Sequence, residues 1–388
     1  AIKIDPVYSG PVIYVKDASK TTGVVKPILS EEKKPLFLSE LKKANERIRE
    51  NHQKAKKINY SLLQNARKNK LPLDWDSYQP VVPAYYHTSG TGVVVLAPSL
   101  EVLIPWIDWT FFLFAWDISG KYPKILKDPI KGDAAKKLVD DGMELLKWLA
   151  SDGRLSARGI FEIFPANSKM DDILIKDPDD PEQVIDTMYH LRNQEQKADG
   201  EANLCLSDFI MPEDSGKVDY IGAFAVTAGL GLEEIVAEFE AEHDDYKAIM
   251  VKALADRLAE AFAEYMHFEV RTKYWGYSLD ETFDIDTIIC ENYKGIRPAA
   301  GYPACPDHRE KLTVFKLLEA EKHTHMKLTE SLAMYPGASV SGIYIAHPES
   351  KYFYLGRVSL DQVEDYAERR GITVKEVEKF LSTNLNYR

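Results

Sequence analysis

Residues 297–308, Arg-Pro-Ala-Ala-Gly-Tyr-Pro-Ala-Cys-Pro-Asp-His, carry a guanidinium and a phenol on a backbone stiffened by three prolines. Proline fixes φ and removes a donor, so this stretch is neither a helix nor a central strand. Gly301 would let a ligand approach the main chain closely, and a loop that is already ordered loses little entropy on binding. Recognition of a ligand through Arg297 and a rigid connection with a surface Arg both fit these residues. In Trp106-Ile107-Asp108-Trp109-Thr110-Phe111-Phe112 a single carboxylate lies among aromatics. An unpaired carboxylate is costly to bury, so Asp108 must cap a helix, meet a cation or face a ligand pocket. A third stretch, Ser350 to Arg357, holds Tyr352, Phe353 and Tyr354 in succession. Read as a strand, it sends Tyr352 and Tyr354 to one face and Phe353 to the other, for core packing or for cation–π contact with a charged ligand.

These residue types bind and orient; they do not form a nucleophile and its base. The chain has no Gly-x-Ser-x-Gly elbow and no Gly-Lys-Ser/Thr phosphate loop, and Gly229-Leu230-Gly231 lacks the third glycine of a dinucleotide loop. His323 and His325 have the wrong spacing for two metal ligands on one helical face, and Cys205, Cys290 and Cys305 are too scattered for a disulfide framework or a C-x-x-C site.

Elements able to position the three stretches can be read from periodicity. Met250, Leu254, Leu258, Phe262 and Tyr265 fall at helical spacing within Asp244 to His267, with Lys252, Asp256 and Glu264 away from that face. Strands are expected at 160–164, 173–175, 220–226, 340–346 and 352–358, and at 11–15 near the N-terminus, followed by a short helix within 18–29. Leu36, Leu38, Leu41, Ala44 and Ile48 predict an exposed helix over Ser30 to about Lys57. Pro72, Pro80, Pro83 and Ser89-Gly90-Thr91-Gly92 then interrupt regular structure, and a domain boundary is expected near residue 58. Two capping boxes, at Ser359 to Gln362 and Thr373 to Glu376, open helices, the first stopping at Gly371. The irregular strand spacing fits an α+β fold better than βαβ repeats.

The 388 residues are 45% hydrophobic and 28% charged, which excludes disordered and coiled-coil classes. A net charge of −12 argues against nucleic-acid binding, and acidic residues along the last two helices argue against a helix-turn-helix role there. Charge is uneven: residues 31–70 carry twelve Lys/Arg against five Asp/Glu, a net of +7 that leaves −19 on the remainder. Asp108 interrupts the apolar stretch 103–116, and glycines fill 220–232, so no membrane span or anchor is expected. The start Ala1-Ile2-Lys3 has neither an initiator Met nor a signal pattern and reads as part of something longer, and the cysteine usage suggests a reducing cytoplasm.

Arg297-x-x-x-Gly301-Tyr302, with Tyr293-Lys294-Gly295-Ile296 before it and Pro303 to His308 after it, resembles the C-terminal activation domain of cobalamin-dependent methionine synthase. The resemblance extends to Ile107-Asp108-Trp109, 215–226, 249–265, 328–342 and 361–367, and covers essentially everything after residue 58. Residues 1–30, including Pro11 to Val25, look like the tail of that enzyme's cobalamin-binding module, with 31–58 a basic helical connector and 59–388 the activation domain. The resemblance implies a twisted, mainly antiparallel sheet surrounded by helices. It implies a domain that binds S-adenosylmethionine and supplies its methyl group when cobalamin has been oxidised, with an electron from flavodoxin or an equivalent flavoprotein. Asp108 is then the partner of the ligand's amino group, Arg297 that of its carboxylate, Tyr302 and Gly301 parts of the loop, and Tyr352 and Phe353 the aromatic pair beside the ligand. The family often has two tyrosines at that pair. Ala299, Glu260 and Glu291 are further candidates.

The chain lacks the Asp-x-His-x-x-Gly that supplies a lower ligand to cobalamin in this family, and the cysteines that hold zinc for homocysteine. Cobalamin would be held mainly by its own module, itself a partner of this domain, and zinc by the homocysteine module. Methyl transfer from a sulfonium to a cobalt nucleophile needs positioning more than a protein acid or base, which agrees with the missing triad. The competing reading is a docking module for a flavodoxin-type electron donor, reached through the basic segment.

Overall fold

Three central strands read as nearly unbroken apolar runs because the sheet they form is covered on both faces. The computed structural model describes every residue except 3, 16–20, 56–57, 88–91 and 388. Strand β1 is Val94–Leu96, β2 Ser156–Lys169, β3 Asp172–Lys176, β4 Val184–Tyr189, β5 Asp219–Leu230, β6 Lys327–Leu328, β7 Met334–Tyr335 and β8 Ser339–Tyr344. The main sheet has the order β4-β3-β2-β5-β8, with β1 beside the first half of β2; every pair is antiparallel. Strands β6 and β7 make a separate hairpin. The fold is α+β, as expected.

Alternation divides the core into two layers. Phe161, Ile163, Phe224, Val226, Val340 and Tyr344 point to the face covered by helices Gly132–Asp152, Leu232–Ala241 and Asp245–Glu269. Ile160, Phe164, Ile221, Ala223, Ala225 and Ile343 meet Leu206, Phe209, Val314 and Leu318 on the other. Asp244 caps the long helix through Lys247 N at 3.0 Å, and the helix ends in a π-turn, Val270–Tyr274. Glu162 lies within β2, 7% exposed, where burial pushes its carboxyl up to about 7 from an ordinary 4.5. A carboxyl raised in the folded state contributes stability that is full below 4.5 and lost as pH rises through 7. Glu162→Gln, always neutral, should therefore gain on the parent by about 2–3 kcal/mol between pH 5 and pH 8. Urea unfolding at the two pH values checks this, because the other buried acids are common to both proteins.

Several local expectations need correction. Residues 352–358 form no strand apart from a bridge of Val358 to Leu385; Gly356 turns the chain with a φ of +77°, and no strand among the described residues supplies a ladder. Residues 11–15 likewise form no strand, since none pairs with them among the described residues. Ser359 does not cap its helix: its Oγ accepts from Asn386 Nδ2 at 2.6 Å, and Gln362 turns inward to bond the main-chain N and O of Arg192 at 2.7 and 2.9 Å. That helix, Leu360–Arg370, does stop at a left-handed Gly371, and the Thr373–Glu376 box is formed. The helix and strand patterns also passed over Gly132–Asp152, Leu232–Ala241 and β4.

The chain divides into two compact units, Ala1–Ser61 and Leu62–Arg388. The first holds helices Thr21–Leu29 and Lys34–Ala55, and Asn45 Nδ2 donates to Asp5 Oδ1 at 3.1 Å. The expected parts of these elements at 18–20 and 56–57 lie outside the described residues, as does Ser89-Gly90-Thr91. No helix among the described residues is long and apolar enough to cross a membrane.

Candidate functional site

Segments far apart in sequence meet around a cavity of about 760 Å³, within the range of pockets that bury a small molecule. The long helix contributes Arg257, Glu260 and Glu264, which share one face at helical spacing. Helix Trp109–Ala115 contributes Phe111 and the Asp108 that opens it. Asp108 Oδ1 accepts from Thr110 N at 2.8 Å, so one oxygen completes the helix start while the carboxylate lies on the cavity wall. Capping and facing a pocket, alternatives in the sequence, are both realised.

The proline-rich segment is stitched to the sheet. Ile296 and Ile345 exchange two main-chain hydrogen bonds at 2.9 and 3.0 Å, and Ile343 N donates to Pro298 O at 2.9 Å, along the open side of β8. Gly342 is required there, because a Cβ would strike Pro298 O. Arg297, Pro298, Ala299, Tyr302 and Pro303 thereby become one wall of the cavity. Gly301 is not part of that wall. Its φ of +96° suits glycine, and the close approach it permits is to the His308 ring, not to a ligand.

Arg297 Nη2 donates to Glu264 Oε1 at 2.5 Å, and Arg297 N donates to the Tyr352 hydroxyl at 3.0 Å. Burial works against the guanidinium's charge, yet the Glu264 carboxylate, with Tyr293 and Tyr352, holds its pKa well above the ordinary value. Burial raises the Glu291 carboxyl, with Arg297 opposing and Glu264 adding to the rise. Tyr352, Phe353 and Tyr354 all line the cavity although their backbone is not a strand. Asp108, Arg297, Tyr302, Tyr352, Phe353, Glu260, Glu291 and Ala299 are thus brought together, and Gly301 is set behind them.

Glu264, Arg257 and Trp106 also line this cavity and were not among the expected site residues. Of the residues away from the apolar face of this helix, Lys252 and Asp256 are exposed, whereas Glu264 meets the cavity. The available signal was the stripe Arg257, Glu260, Glu264 in a helix whose Ala259, Ala261 and Ala263 are all buried. Four carboxylates, Asp108, Glu260, Glu264 and Glu291, face two guanidiniums, Arg257 and Arg297, amid aromatic rings. Such a wall suits a zwitterion that carries a further positive charge.

An open antiparallel sheet with a stiff loop along its edge and a mixed-charge aromatic cavity of small-molecule size define an α+β domain with a candidate ligand site. Residues 99–371 match the family described as vitamin B12 dependent methionine synthase, activation domain, and the chain belongs to that family. It is also similar to the crystal structure of the MetH reactivation domain bound to AdoHcy. The two are 51% identical with a TM-score of 0.81, over 85% of this chain and 99% of that one.

Proposed function

We propose that this chain binds S-adenosylmethionine in the 760 Å³ cavity and presents its methyl group for reductive remethylation of oxidised cobalamin, as the reactivation domain of a cobalamin-dependent methionine synthase. The observation that carries this reading is the placement of Asp108 and Arg297 on the walls of one cavity, opposite in charge and suited to the two poles of an amino acid. The related structure with AdoHcy bound supports the nucleoside part. Asp108 takes the ammonium, Arg297 the carboxylate, and Tyr352 and Phe353 lie beside the ligand; Phe353 leaves this position without a hydroxyl. Gly301 shapes the loop that carries Tyr302. Glu260, Glu291 and Ala299 complete the lining.

Phe111, Tyr302 and Tyr354, 58%, 59% and 65% exposed, give the cavity an aromatic rim that fits the flat face of a corrin. Cobalamin, held by its own module, supplies the nucleophile; this chain's residues orient the sulfonium and restrict water. Residues 1–30 are read as the tail of that module and 31–58 as a connector whose +7 neighbourhood would attract an acidic flavodoxin-type electron donor. Calorimetric titration should give saturable one-to-one binding of S-adenosylmethionine and S-adenosylhomocysteine, weakened at least about tenfold by Asp108→Asn. Absence of binding by the folded parent would overturn the ligand assignment and favour the docking reading.

A further inference from the structure

The three most buried arginines among the described residues, Arg192, Arg271 and Arg309, each close a fork on one carboxylate. Arg192 donates through Nη1 and Nη2 to the two oxygens of Asp208, both at 2.7 Å. Arg271 donates through Nε and Nη2 to Glu281 at 2.9 and 2.5 Å, and Arg309 likewise to Asp307 at 2.9 and 2.5 Å. Arg297 closes no such fork, and neither does Arg370, which reaches Glu310 through Nη2 and gives its Nε to the Tyr366 hydroxyl. Arg297 is held by one prong, Nη2 to Glu264 Oε1, while its Nε and Glu264 Oε2 are buried without a hydrogen-bond partner among the described residues. The pair is 15% and 16% exposed, so neither group is freely solvated.

A single-pronged ion pair fixes a guanidinium without saturating it. Glu264 sits on the long core helix, whose neighbouring positions Ala261, Ala263 and Met266 are buried, and its side chain therefore starts from a rigid element. Arg297 starts from the segment bonded to β8. Nη1, which makes no hydrogen bond among the described residues and is not sealed off as Nε is, then remains at the cavity wall, already oriented, where a carboxylate can take it.

We propose that Glu264 is a positioning residue that holds the Arg297 guanidinium at the cavity wall with donors left over for the ligand's carboxylate, an inference resting on the ligand reading given under Proposed function. Glu264 acts through Arg297 and not by touching the ligand. Removing it leaves a buried guanidinium without its anchor, free to turn from the wall. A neutral amide of the same shape keeps an oxygen for Nη2, so the anchor survives the loss of charge.

The test is calorimetry on the full chain with S-adenosylhomocysteine and with its decarboxylated analogue, which keeps the nucleoside and the amine. Glu264→Ala should weaken S-adenosylhomocysteine at least about tenfold, and Glu264→Gln should stay within about threefold of the parent. The decarboxylated analogue should bind parent and both variants within about threefold, a pattern that general loss of packing would not produce. Should Glu264→Ala not fold, Glu264→Met, which fills the space without an acceptor for Nη2, decides: selective loss of S-adenosylhomocysteine supports the anchor, and unchanged affinity or equal loss of both ligands overturns it. Unchanged S-adenosylhomocysteine affinity in a folded Glu264→Ala, or equal loss of both ligands, would also overturn the assignment. Tighter binding by either variant would make Glu264 a competitor for the guanidinium and overturn it as well. If the parent binds neither ligand, the ligand reading fails first and the inference falls with it; a parent that binds alongside discordant variants isolates the failure to Glu264.

Discussion

Arg297→Ala is expected to lower the affinity for S-adenosylhomocysteine about a hundredfold, on the order of 3 kcal/mol, with the loss read by calorimetry. A hydrogen bond to a charged group contributes about 1.5–3 kcal/mol, and a carboxylate on a guanidinium fork forms two of them. The substitution also frees Glu264, only 16% exposed, in a cavity that already holds Asp108, Glu260 and Glu291. An additional uncompensated carboxylate would repel the ligand's own, so the loss should exceed that of Asp108→Asn, which keeps a hydrogen-bonding group in place. Affinity within threefold of the parent would place the ligand's carboxylate elsewhere. Arg297→Lys should recover only part of the affinity, because an ammonium carries charge but no planar fork.

The largest effect on stability should come from a place remote from the cavity. Arg192 is 1% exposed and donates to Asp171 at 2.7 Å, to both oxygens of Asp208 and to Asn203 O at 2.7 Å. Asp171 and Asp208 are themselves almost wholly buried, and among the described residues Arg67 is the cation left in contact with Asp171 if Arg192 is lost. Arg192→Met should therefore cost about 3–5 kcal/mol in urea unfolding, the usual consequence of leaving buried charge without its partner. Changing Asp208 to Asn in the same chain should return part of that loss by removing a charge that has nothing left to pair with. Because the network ties the turn before β3, the 205–208 turn and helix Leu360–Arg370, and shares no residue with the cavity, ligand affinity of the folded protein should stay within about twofold. A loss below 1 kcal/mol would mean that water reaches these carboxylates.

How far such positions can be read from residues alone depends on whether their burden is local. The stiffness of 297–308 follows from its prolines wherever the loop lies, and Asp108 among aromatics had to find a use at any location. Both were legible, and so was the long helix, whose apolar period is independent of its neighbours. Glu264 was not, because the first half of its helix exposes a polar side and the same kind of residue reads as solvent-facing until the cavity beside the second half is known. Tyr352 to Val358 has the composition of a strand, but a strand is defined by a continuous ladder, and among the described residues this segment makes only isolated main-chain contacts, Leu355 with Pro303 and Val358 with 384–386. Ser359 and Gln362 have the spacing of a capping box, yet the buried main chain of Arg192 takes Gln362 instead, a contact 170 residues away in sequence. Long-range competition of this kind leaves no trace in a local pattern.

The segment laid along β8 serves the sheet as well as the ligand. Strand β8 ends the order of the main sheet, and an uncovered terminal strand offers its unpaired N–H and C=O groups to another chain. Pro298 O takes up Ile343 N of that edge, and Ile296 pairs with Ile345 just beyond it, through the same hydrogen bonds that hold Arg297 in place. Affinity and resistance to self-association are thus tied to one stretch of backbone. A substitution that forces the stretch away from β8, such as a side chain at Gly342, would do more than empty a binding site: it would bare a sticky edge, and the damaged protein would be lost to aggregates before its weakened binding mattered.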